Sequence, residues 1–345
     1  MKGVILSAGR STRTYPITLT RPKPLLSVAG KTIIERNIET IAGIVDSLVI
    51  IIGYKAEMIT EALGSEFNNL PIEYVEQRVQ DGSGGAVLLV EDMVGDEFVV
   101  INGDDLYSPE DIKAVACECP SVLLHSVDNI SRFGSIEIED GVITEIVESP
   151  GVFKSGLVNA GAYHFDGRVF EILRRLPPGG RGEYELPQAL IIGEYRGMVK
   201  AVIGEGYWRP VGYPWDYLLA NLDFSQRESG SVIHPETDIH PEAVITSSVV
   251  MRGARIGRRA IISYSVIGED VVIGDEVKIS DVNKQGGTVN SFVKGEMVDT
   301  GLYNVGAFIG DGAVIEEEAM IEAGVKIWPR VVIPAGVVVS EDVID

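Results

Sequence analysis

Residues 3–26 read GVILSAGRSTRTYPITLTRPKPLL, and this stretch decides how the first part of the chain folds. Its apolar run, Val4–Leu6, is typical of a buried strand in a parallel sheet. A turn of small residues follows at Ser7–Gly9, and the loop after it carries two cations, Arg13 and Lys23. Small side chains let backbone N–H groups approach phosphate oxygens, and fixed cations neutralise phosphate charge. The stretch therefore predicts a strand followed by a loop that binds a polyphosphate.

The loop contains neither of two common phosphate-binding patterns, G-x-x-x-x-G-K-[ST] and G-x-G-x-x-G. It resembles instead the opening motif of the sugar-1-phosphate nucleotidylyltransferase family, Ala-Gly-x-Gly-Thr-Arg-x-x-Pro-x-Thr-x-x-x-Pro-Lys-Pro. The matching residues are Ala8, Gly9, Thr12, Arg13, Pro16, Thr18, Pro22, Lys23 and Pro24. Ser11 replaces the second glycine of the motif. The resemblance implies a nucleotide-binding loop formed by Leu6, Ala8, Gly9, Ser11 and Thr12.

The length of 345 residues predicts about two domains. Strand-like and helix-like segments alternate up to about residue 225, which favours an α/β fold with a mostly parallel sheet. From Val232 onward, aliphatic residues recur every six positions, a period typical of a left-handed parallel β-helix. Residues 281–303 interrupt this repeat and are predicted to form a loop. We therefore predict a Rossmann-like nucleotidyltransferase domain at 1–228 and a β-helix of hexapeptide repeats at 229–345, an arrangement that resembles the archaeal type of the family.

The charge and composition of the chain exclude several classes of function. A net charge of −22 argues against binding to nucleic acids or anionic membranes. The two cysteines, Cys117 and Cys119, form a C-x-C with no zinc-site spacing, so the sequence predicts neither a disulfide nor a metal site there. The N-terminus enters a strand directly, and no apolar run approaches the ~20 residues of a membrane span. We therefore expect a cytoplasmic protein.

Asp104 is the candidate metal ligand. It ends the sequence Asn-Gly-Asp after the apolar run Phe98–Ile101, and ligands of open α/β sheets lie beyond the carboxyl ends of strands. A carboxylate at this place suits Mg²⁺ bound to nucleotide phosphates. Asp104 also falls on the metal aspartate of the family, and Asp105 is the alternative. An aspartate that only caps the next segment would explain the same pattern.

Other candidate binding residues follow from the resemblance. Gln77, Gly82 and Ser83 fall on the family's base-reading segment, which implies that the Gln77 amide pairs with the base. The positions where the family binds its sugar are held by Gly134, Glu148 and Asn159, whose polar groups suit hydroxyl recognition.

Two departures from the family pattern put full activity in question. Ser149 replaces a lysine that grips the sugar phosphate, and Pro210 replaces the second metal carboxylate. Arg209 and Asp216 lie near these positions but out of register.

The resemblance implies that the chain makes an NDP-sugar and pyrophosphate from a nucleoside triphosphate and a sugar 1-phosphate, with Mg²⁺ as cofactor. Gln77 favours UTP or dTTP. Arg13 is expected to steady the leaving pyrophosphate and Lys23 the α-phosphate or the sugar phosphate. Two alternatives stay open: a non-catalytic NDP-sugar-binding regulatory subunit, and an acyltransferase in the β-helix. The second is disfavoured because all four histidines lie at or before residue 240. The β-helix is expected to build a homo-oligomer based on a trimer.

Overall fold

A computed structural model of the chain describes residues 1–133, 135–147, 154–179, 182–225 and 228–345. The chain packs into two compact units, each made of two stretches of sequence. Unit 1 comprises Met1–Arg10 and Thr32–Pro210, and unit 2 comprises Ser11–Lys31 and Val211–Asp345. Packing thus groups part of the opening loop with the repeats. These units are each made of two stretches of sequence, so they do not test a single boundary between residues 228 and 229, and that boundary stays a prediction.

The helices are short, and the first and the fourth α-helix begin at residues whose side chains satisfy free backbone donors. Thr32 caps the first helix in a capping box with Glu35, and the Ser108 side chain accepts from the N–H of Asp111 at the fourth. The α-helices are α1 Ile33–Ile41, α2 Ala56–Leu63, α3 Ser83–Leu88, α4 Pro109–Ala116, α5 Arg168–Arg175 and α6 Pro214–Asp223. The 3₁₀ helices are Thr12–Thr14, Lys23–Leu25, Ile130–Arg132, Leu186–Ile191 and Gly193–Tyr195. Among the described residues, none of the helices combines the length and the hydropathy that a bilayer-spanning segment needs.

The apolar runs predicted from the sequence form the strands of one large sheet in unit 1. The strands up to residue 210 are β1 Lys2–Ser7, β2 Ser27–Val28, β3 Lys31–Thr32, β4 Ser47–Ile52, β5 Glu66–Phe67, β6 Leu70–Glu76, β7 Glu97–Asn102, β8 Asp105–Tyr107, β9 Ser121–Val127, β10 Ser135–Glu139, β11 Val142–Val147, β12 Gly156–Asp166, β13 Lys200–Ile203 and β14 Trp208–Pro210. The sheet has the order β10-β11-β13-β9-β12-β7-β1-β4-β6-β5.

The centre of this sheet is parallel, as the sequence predicts. Strand β1 pairs in parallel with β4 and with β7, and β4 pairs in parallel with β6. Strand β12 is antiparallel to both β7 and β9. Helices α3 and α5 and the 3₁₀ helix Leu186–Ile191 contribute to the buried core of the sheet. The carboxyl ends of β6, β4, β1 and β7 therefore meet at one edge.

Unit 2 contains the predicted left-handed parallel β-helix. Its strands are β15 Val232–Ile233, β16 Asp238–Ile239, β17 Val244–Thr246, β18 Val249–Val250, β19 Arg255–Ile256, β20 Ile261–Ser263, β21 Val266–Ile267, β22 Val272–Ile273, β23 Lys278–Ile279, β24 Asn290–Val293, β25 Glu296–Asp299, β26 Phe308–Ile309, β27 Val314–Ile315, β28 Met320–Ile321, β29 Lys326–Ile327, β30 Val332–Ile333 and β31 Val338–Val339. They form three five-stranded parallel sheets, β15-β18-β21-β26-β29, β16-β19-β22-β27-β30 and β17-β20-β23-β28-β31. The predicted aliphatic residues stack inside as a continuous core.

A strict hexapeptide repeat gives coils of 18 residues, but the first coils of this β-helix have 17. Ile233 pairs with Val250, which lies 17 residues later, whereas Ile309 pairs with Ile327, which lies 18 residues later. The six-residue period therefore misses the inward residues Val250, Ile256 and Ile262, although they belong to the same core.

A column of buried serines occupies the shortened corner. Ser248 N donates to Ser231 Oγ at 3.2 Å, Ser265 N donates to Ser248 Oγ at 3.1 Å, and Ala307 N donates to Ser265 Oγ at 3.1 Å. Each hydroxyl accepts a backbone N–H from the next coil, so the short corner keeps its hydrogen bonds.

The predicted interruption at 281–303 is confirmed, and it contains a hairpin. Strands β24 and β25 pair antiparallel around a turn at Lys294 and Gly295, both with positive φ. The repeat keeps its register across the insertion, since Ile267 pairs with Ile309.

Candidate functional site

The candidate metal ligand lies where two central strands end side by side. Gly103 N donates to Leu6 O at 2.9 Å, which joins the turn after β7 to the end of β1. A Cβ at position 103 would lie 2.6 Å from that oxygen, so the approach requires glycine. Asp104, the next residue, is half-buried at this edge.

The neighbouring Asp105 points into the protein and accepts a hydrogen bond there. Asp105 is buried, and its Oδ2 accepts from Asn102 Nδ2 at 3.4 Å and lies 3.4 Å from the Tyr107 hydroxyl. Burial raises the pKa of Tyr107 well above its ordinary value, and the charges of Asp105 and Asp104 raise it further. Tyr107 therefore stays a neutral donor, and of the two aspartates Asp104 is the more exposed.

The turn after β1 is held through its backbone. Ala8 O accepts from Tyr54 N and from Gln80 Nε2, both at 3.0 Å, and thus connects the ends of β1 and β4 with the loop after β6. Gly9 has open space where a side chain would point. Leu6, Ala8 and Gly9 are therefore brought to the same edge as Asp104.

The predicted base-reading loop follows β6 at this edge. Within it, the Gln77 amide nitrogen already donates hydrogen bonds to other residues of the loop. Gln77 is buried, and its Nε2 donates to Asp81 Oδ1 at 3.0 Å and to Gly82 O at 2.9 Å. Since both amide protons are used within the loop, the group of Gln77 that can meet a base is its carbonyl oxygen. Gly82 has φ 102°, and a Cβ there would lie 2.5 Å from Tyr184 O. Ser83 Oγ accepts from Leu186 N at 3.0 Å.

Asn159 lies in an irregular part of β12, close to the Asp104–Asp105 turn. Its Oδ1 accepts from Gly161 N at 2.9 Å, and its Nδ2 donates to the Tyr163 hydroxyl at 2.7 Å. The Tyr107 hydroxyl donates to Ala160 O at 2.9 Å, which ties this segment to β8. Two further sugar candidates, Gly134 and Glu148, lie outside the described residues, as does Ser149.

The remaining candidates belong to unit 2. Lys23 is buried, and its Nζ donates to Val211 O at 2.6 Å. Arg13 is exposed, and its guanidinium lies over the Tyr213 ring, 5.3 Å from the centroid. Ser11 has φ 52° and ψ 42°, in the left-handed region, and Thr12 begins a 3₁₀ helix. The left-handed backbone explains why the family motif has a glycine at the position of Ser11.

Arg21 is a residue that the sequence analysis missed. Its guanidinium donates to Glu269 Oε1 at 2.6 Å and also contacts Asp311 Oδ2, to which Thr20 Oγ1 donates at 2.5 Å. Burial lowers the pKa of Arg21, but the two carboxylates outweigh this and hold it above its ordinary value. Arg21 thus fixes the segment before Lys23 to the β-helix. Only its place between the motif residues Thr18 and Pro22 could have pointed to it.

Of the two departures from the family pattern, Pro210 lies within the described residues, as do its neighbours Arg209 and Asp216. Pro210 pairs with Asp105 in the two-stranded ribbon of β8 and β14, so the substituted position lies beside the aspartate turn. Asp216 is committed elsewhere, because its Oδ2 accepts from Gly212 N at 3.1 Å and from Tyr213 N at 2.8 Å at the start of α6. Arg209 Nε donates to the Tyr207 hydroxyl at 3.3 Å.

Known proteins resemble two parts of the chain. A family model for nucleotidyl transferases matches residues 2–227, and one for a GlmU-like C-terminal hexapeptide region matches residues 226–285. The bifunctional protein GlmU of Methanocaldococcus jannaschii is 40% identical over 225 residues, which cover 64% of this chain and 53% of that protein. The UTP–glucose-1-phosphate uridylyltransferase AglF of Haloferax volcanii is 33% identical over 227 residues, covering 63% of this chain and 93% of AglF.

A solved structure described as a glucose-1-phosphate thymidylyltransferase from Bacillus anthracis superposes with a TM-score of 0.60 and 32% identity, over 66% of this chain and 96% of that one. The chain spans about half the length of the GlmU relatives it matches. The match over residues 2–227 shows that the chain belongs to the nucleotidyl transferase family.

Proposed function

We propose that the protein is a sugar-1-phosphate nucleotidylyltransferase, which forms an NDP-sugar and pyrophosphate from a nucleoside triphosphate and a sugar 1-phosphate. The observation that carries the proposal is the edge of the unit 1 sheet. There the turn after β1, the loop after β6 and the Asp104 turn after β7 are joined by the hydrogen bonds of Gly103 N to Leu6 O and of Gln80 Nε2 to Ala8 O. Ligands of α/β sheets bind beyond such strand ends.

The donor set fits Mg²⁺. Nucleotidyl transferases of this family are generally metal-dependent. The half-buried carboxylate of Asp104 is a hard oxygen ligand, and Mg²⁺ is often held by one or two carboxylates together with substrate phosphates. Asp104 lies directly beyond the end of β7, where ligands of α/β sheets bind, and would hold the ion, which when bound neutralises phosphate charge.

The chain's own residues would position the reactants. The phosphate of a sugar 1-phosphate has a second pKa near ~6, so its oxygen attacks the α-phosphorus without a general base. Pyrophosphate then leaves, and catalysis consists of positioning and charge stabilisation. Lys23 is proposed to contact the α-phosphate or the sugar phosphate, and Arg13 the leaving pyrophosphate. Asn159 would contact the sugar, together with Gly134 and Glu148.

UTP or dTTP is the proposed nucleotide. The carbonyl oxygen of Gln77 can accept from the N3–H that uracil and thymine share. The backbone of Leu6, Ala8, Gly9, Ser11 and Thr12 and the segment of Gly82 and Ser83 would hold the rest of the nucleotide. The similarity to a uridylyltransferase and to a thymidylyltransferase supports the same pair of bases.

The experiment is a measurement of pyrophosphate release with Mg²⁺ across nucleoside triphosphates and sugar 1-phosphates. We expect turnover with UTP or dTTP and one sugar 1-phosphate, and a large loss in Asp104→Asn and Lys23→Met. Asp140→Asn, in the exposed hairpin turn at φ 49°, and Lys113→Met, on the exposed side of α4, are the matched controls and keep full activity. Absence of turnover with every pair would overturn the proposal.

A non-catalytic NDP-sugar-binding subunit is the second candidate, and the position of Pro210 beside Asp105 favours it. Proline offers no metal ligand at the place where the family has a carboxylate. Isothermal titration with UDP-glucose and dTDP-glucose separates the two functions. Binding without turnover, unchanged in Asp104→Asn, would support the second candidate.

We also propose a homo-oligomer, based on a trimer, that associates through one face of the β-helix. The third sheet presents an outward row of exposed side chains in which four of five are apolar: Val244, Ile261, Lys278, Met320 and Val338. The row is mostly apolar with Lys278 at its centre, and exposed apolar patches are typical of association surfaces. Light scattering after gel filtration should show a trimer or a multiple of it, and the double variant Ile261→Lys, Met320→Lys should be monomeric. A wild-type monomer would contradict the assembly.

A domain boundary and a cellular location are proposed as well. A boundary between residues 228 and 229 agrees with family matches that end at 227 and begin at 226. A cytoplasmic location follows from the proposed substrates, nucleoside triphosphates and sugar phosphates, and would be tested by cell fractionation.

A further inference from the structure

Three side chains with different ligand atoms converge at the other end of β7 from Asp104. Glu97 is the first residue of β7, His164 lies on the neighbouring strand β12, and Cys119 lies between α4 and β9. One potential ligand atom of each lies within 4.8 Å of the others. The cluster belongs wholly to unit 1 and shares no residue with the proposed nucleotide site.

His164 is prepared for a ligand. It is 3% exposed, and its Nδ1 lies 3.0 Å from Glu118 O. A carbonyl oxygen only accepts, so Nδ1 donates to it and Nε2 is the nitrogen that can bind a ligand. Among the described residues, this buried Nε2 has no hydrogen-bond partner, and it lies 3.6 Å from Glu97 Oε2. A cation between the two groups, a proton or a metal ion, would satisfy both.

The same contacts are typical of a metal-binding histidine. Metal-ligating histidines usually donate the N–H of the other ring nitrogen to a carbonyl or carboxylate, which fixes the tautomer and the ring orientation. A tetrahedral zinc ion with bonds of about 2.0 to 2.3 Å separates its ligand atoms by about 3.3 to 3.8 Å. The distance of 3.6 Å between Nε2 and Oε2 falls in that range. Glu97 is exposed and can adjust.

We propose that Glu97, Cys119 and His164 form a site for a borderline divalent transition metal, with zinc as the best fit. Nitrogen, sulfur and oxygen ligands in one set favour Zn²⁺ over Mg²⁺, which takes oxygen ligands. Three protein ligands leave the fourth position to water. The ion would join the start of β7, the middle of the sheet at β12 and the approach to β9, and would thus stabilise the sheet far from Asp104.

The thiol supplies a second measurable signal. Zinc binds cysteine as the thiolate, and an uncoordinated cysteine thiol is protonated at neutral pH, so metal binding releases a proton. The C-x-C spacing gave no indication of this site, because its other ligands lie on separate strands.

The test uses the full chain after treatment with a chelator and dialysis. Co²⁺ is added as a spectroscopic probe, and Zn²⁺ is titrated by calorimetry in two buffers of different ionisation enthalpy, with Mg²⁺ present throughout. We expect a sulfur-to-cobalt charge-transfer band, one Zn²⁺ per chain, release of a proton and a higher Tm with Zn²⁺.

Cys117 is an exposed thiol two residues from Cys119 and provides the matched control. The charge-transfer band should persist in Cys117→Ser and disappear in Cys119→Ser. Glu97→Gln, at an exposed position with little effect on folding, should weaken Zn²⁺ binding at least about tenfold. A band that persists in Cys119→Ser, affinity unchanged in Glu97→Gln, or no binding of Zn²⁺ to the wild type would overturn the proposal.

Discussion

The sheet of unit 1 and the β-helix of unit 2 both rest on buried aliphatic residues, but they place their polar groups differently. In the β-helix, strands of two or three residues repeat, and each inward residue contacts its counterparts in the coils above and below. In unit 1, polar side chains collect in loops beyond the strand ends, where hydrogen bonds hold them. Changes in the β-helix should therefore reduce stability, and changes in the loops of unit 1 should reduce function.

The largest expected effect is on the stability of the β-helix. Ile321 is 1% exposed and stacks between Ile279 and Val339, so Ile321→Ala should lower the free energy of unfolding by about 2 to 5 kcal/mol. Val332, on the outward side of β30 in the second sheet, is 56% exposed, and Val332→Ala should cost less than about 1 kcal/mol. Chemical denaturation measures both. Equal costs would mean that the inward row does not form the core.

Asp104→Asn should reduce activity and leave stability nearly unchanged, whereas the β-helix substitution reduces stability. The substitution removes a charge at a half-buried turn, so kcat/KM for pyrophosphate release should fall at least about 100-fold, about 2.7 kcal/mol of transition-state stabilisation. The free energy of unfolding should change by less than about 0.5 kcal/mol. Steady-state kinetics and denaturation on the same preparation check both parts. A variant that loses stability but keeps its activity would reverse the comparison.

The two regions also differ in how far the sequence predicts them. The period of six predicts the β-helix and its interruption, because one inward residue per side is a purely local requirement. It fails at Val250, where a buried serine corner shortens the coil and changes the step. In unit 1 the apolar runs predict the parallel strands, and the family resemblance points to Asp104 and Gln77. Contacts between distant segments, such as Arg21 with Asp311 or His164 with Glu97, depend on the fold and leave no local pattern.

Arg21 tests whether the opening segment depends on the β-helix for its stability. Arg21→Met leaves the Glu269 and Asp311 carboxylates without their shared cation at a site where the Arg21 side chain is 15% exposed. We expect a loss of about 2 kcal/mol, below the range for fully buried pairs because water reaches the site. The control is Arg258→Met, which breaks an exposed pair with Glu242 and should leave the free energy of unfolding nearly unchanged. Similar losses in the two variants would contradict a special role for Arg21.

The serine corner gives a smaller effect. Ser265 is fully buried, and its Oγ accepts from Ala307 N and donates to Ser263 O at 2.8 Å. Ser265→Ala leaves a buried N–H and a buried carbonyl without this partner, so it should cost about 1 to 2 kcal/mol. Ser340→Ala, at an exposed position, should be neutral within about 0.5 kcal/mol. If thermal unfolding shows no difference between the two, the hydroxyl column does not support the short coils.

The smallest expected effect has the opposite sign and concerns the residue that departs from the family motif. Ser11 adopts φ 52°, a conformation that costs a residue with a Cβ about 1 kcal/mol relative to glycine, whereas its carbonyl and N–H are unchanged by substitution. Ser11→Gly should therefore raise the free energy of unfolding by up to about 1 kcal/mol, reduced by the greater entropy of the unfolded chain. The same substitution at Ser27, an exposed residue of strand β2, should instead lower it by about 0.5 to 1 kcal/mol. Because only the backbone conformation distinguishes the two sites, opposite signs in paired denaturation curves would establish that glycine is favoured at position 11 for its backbone, and equal losses would contradict it.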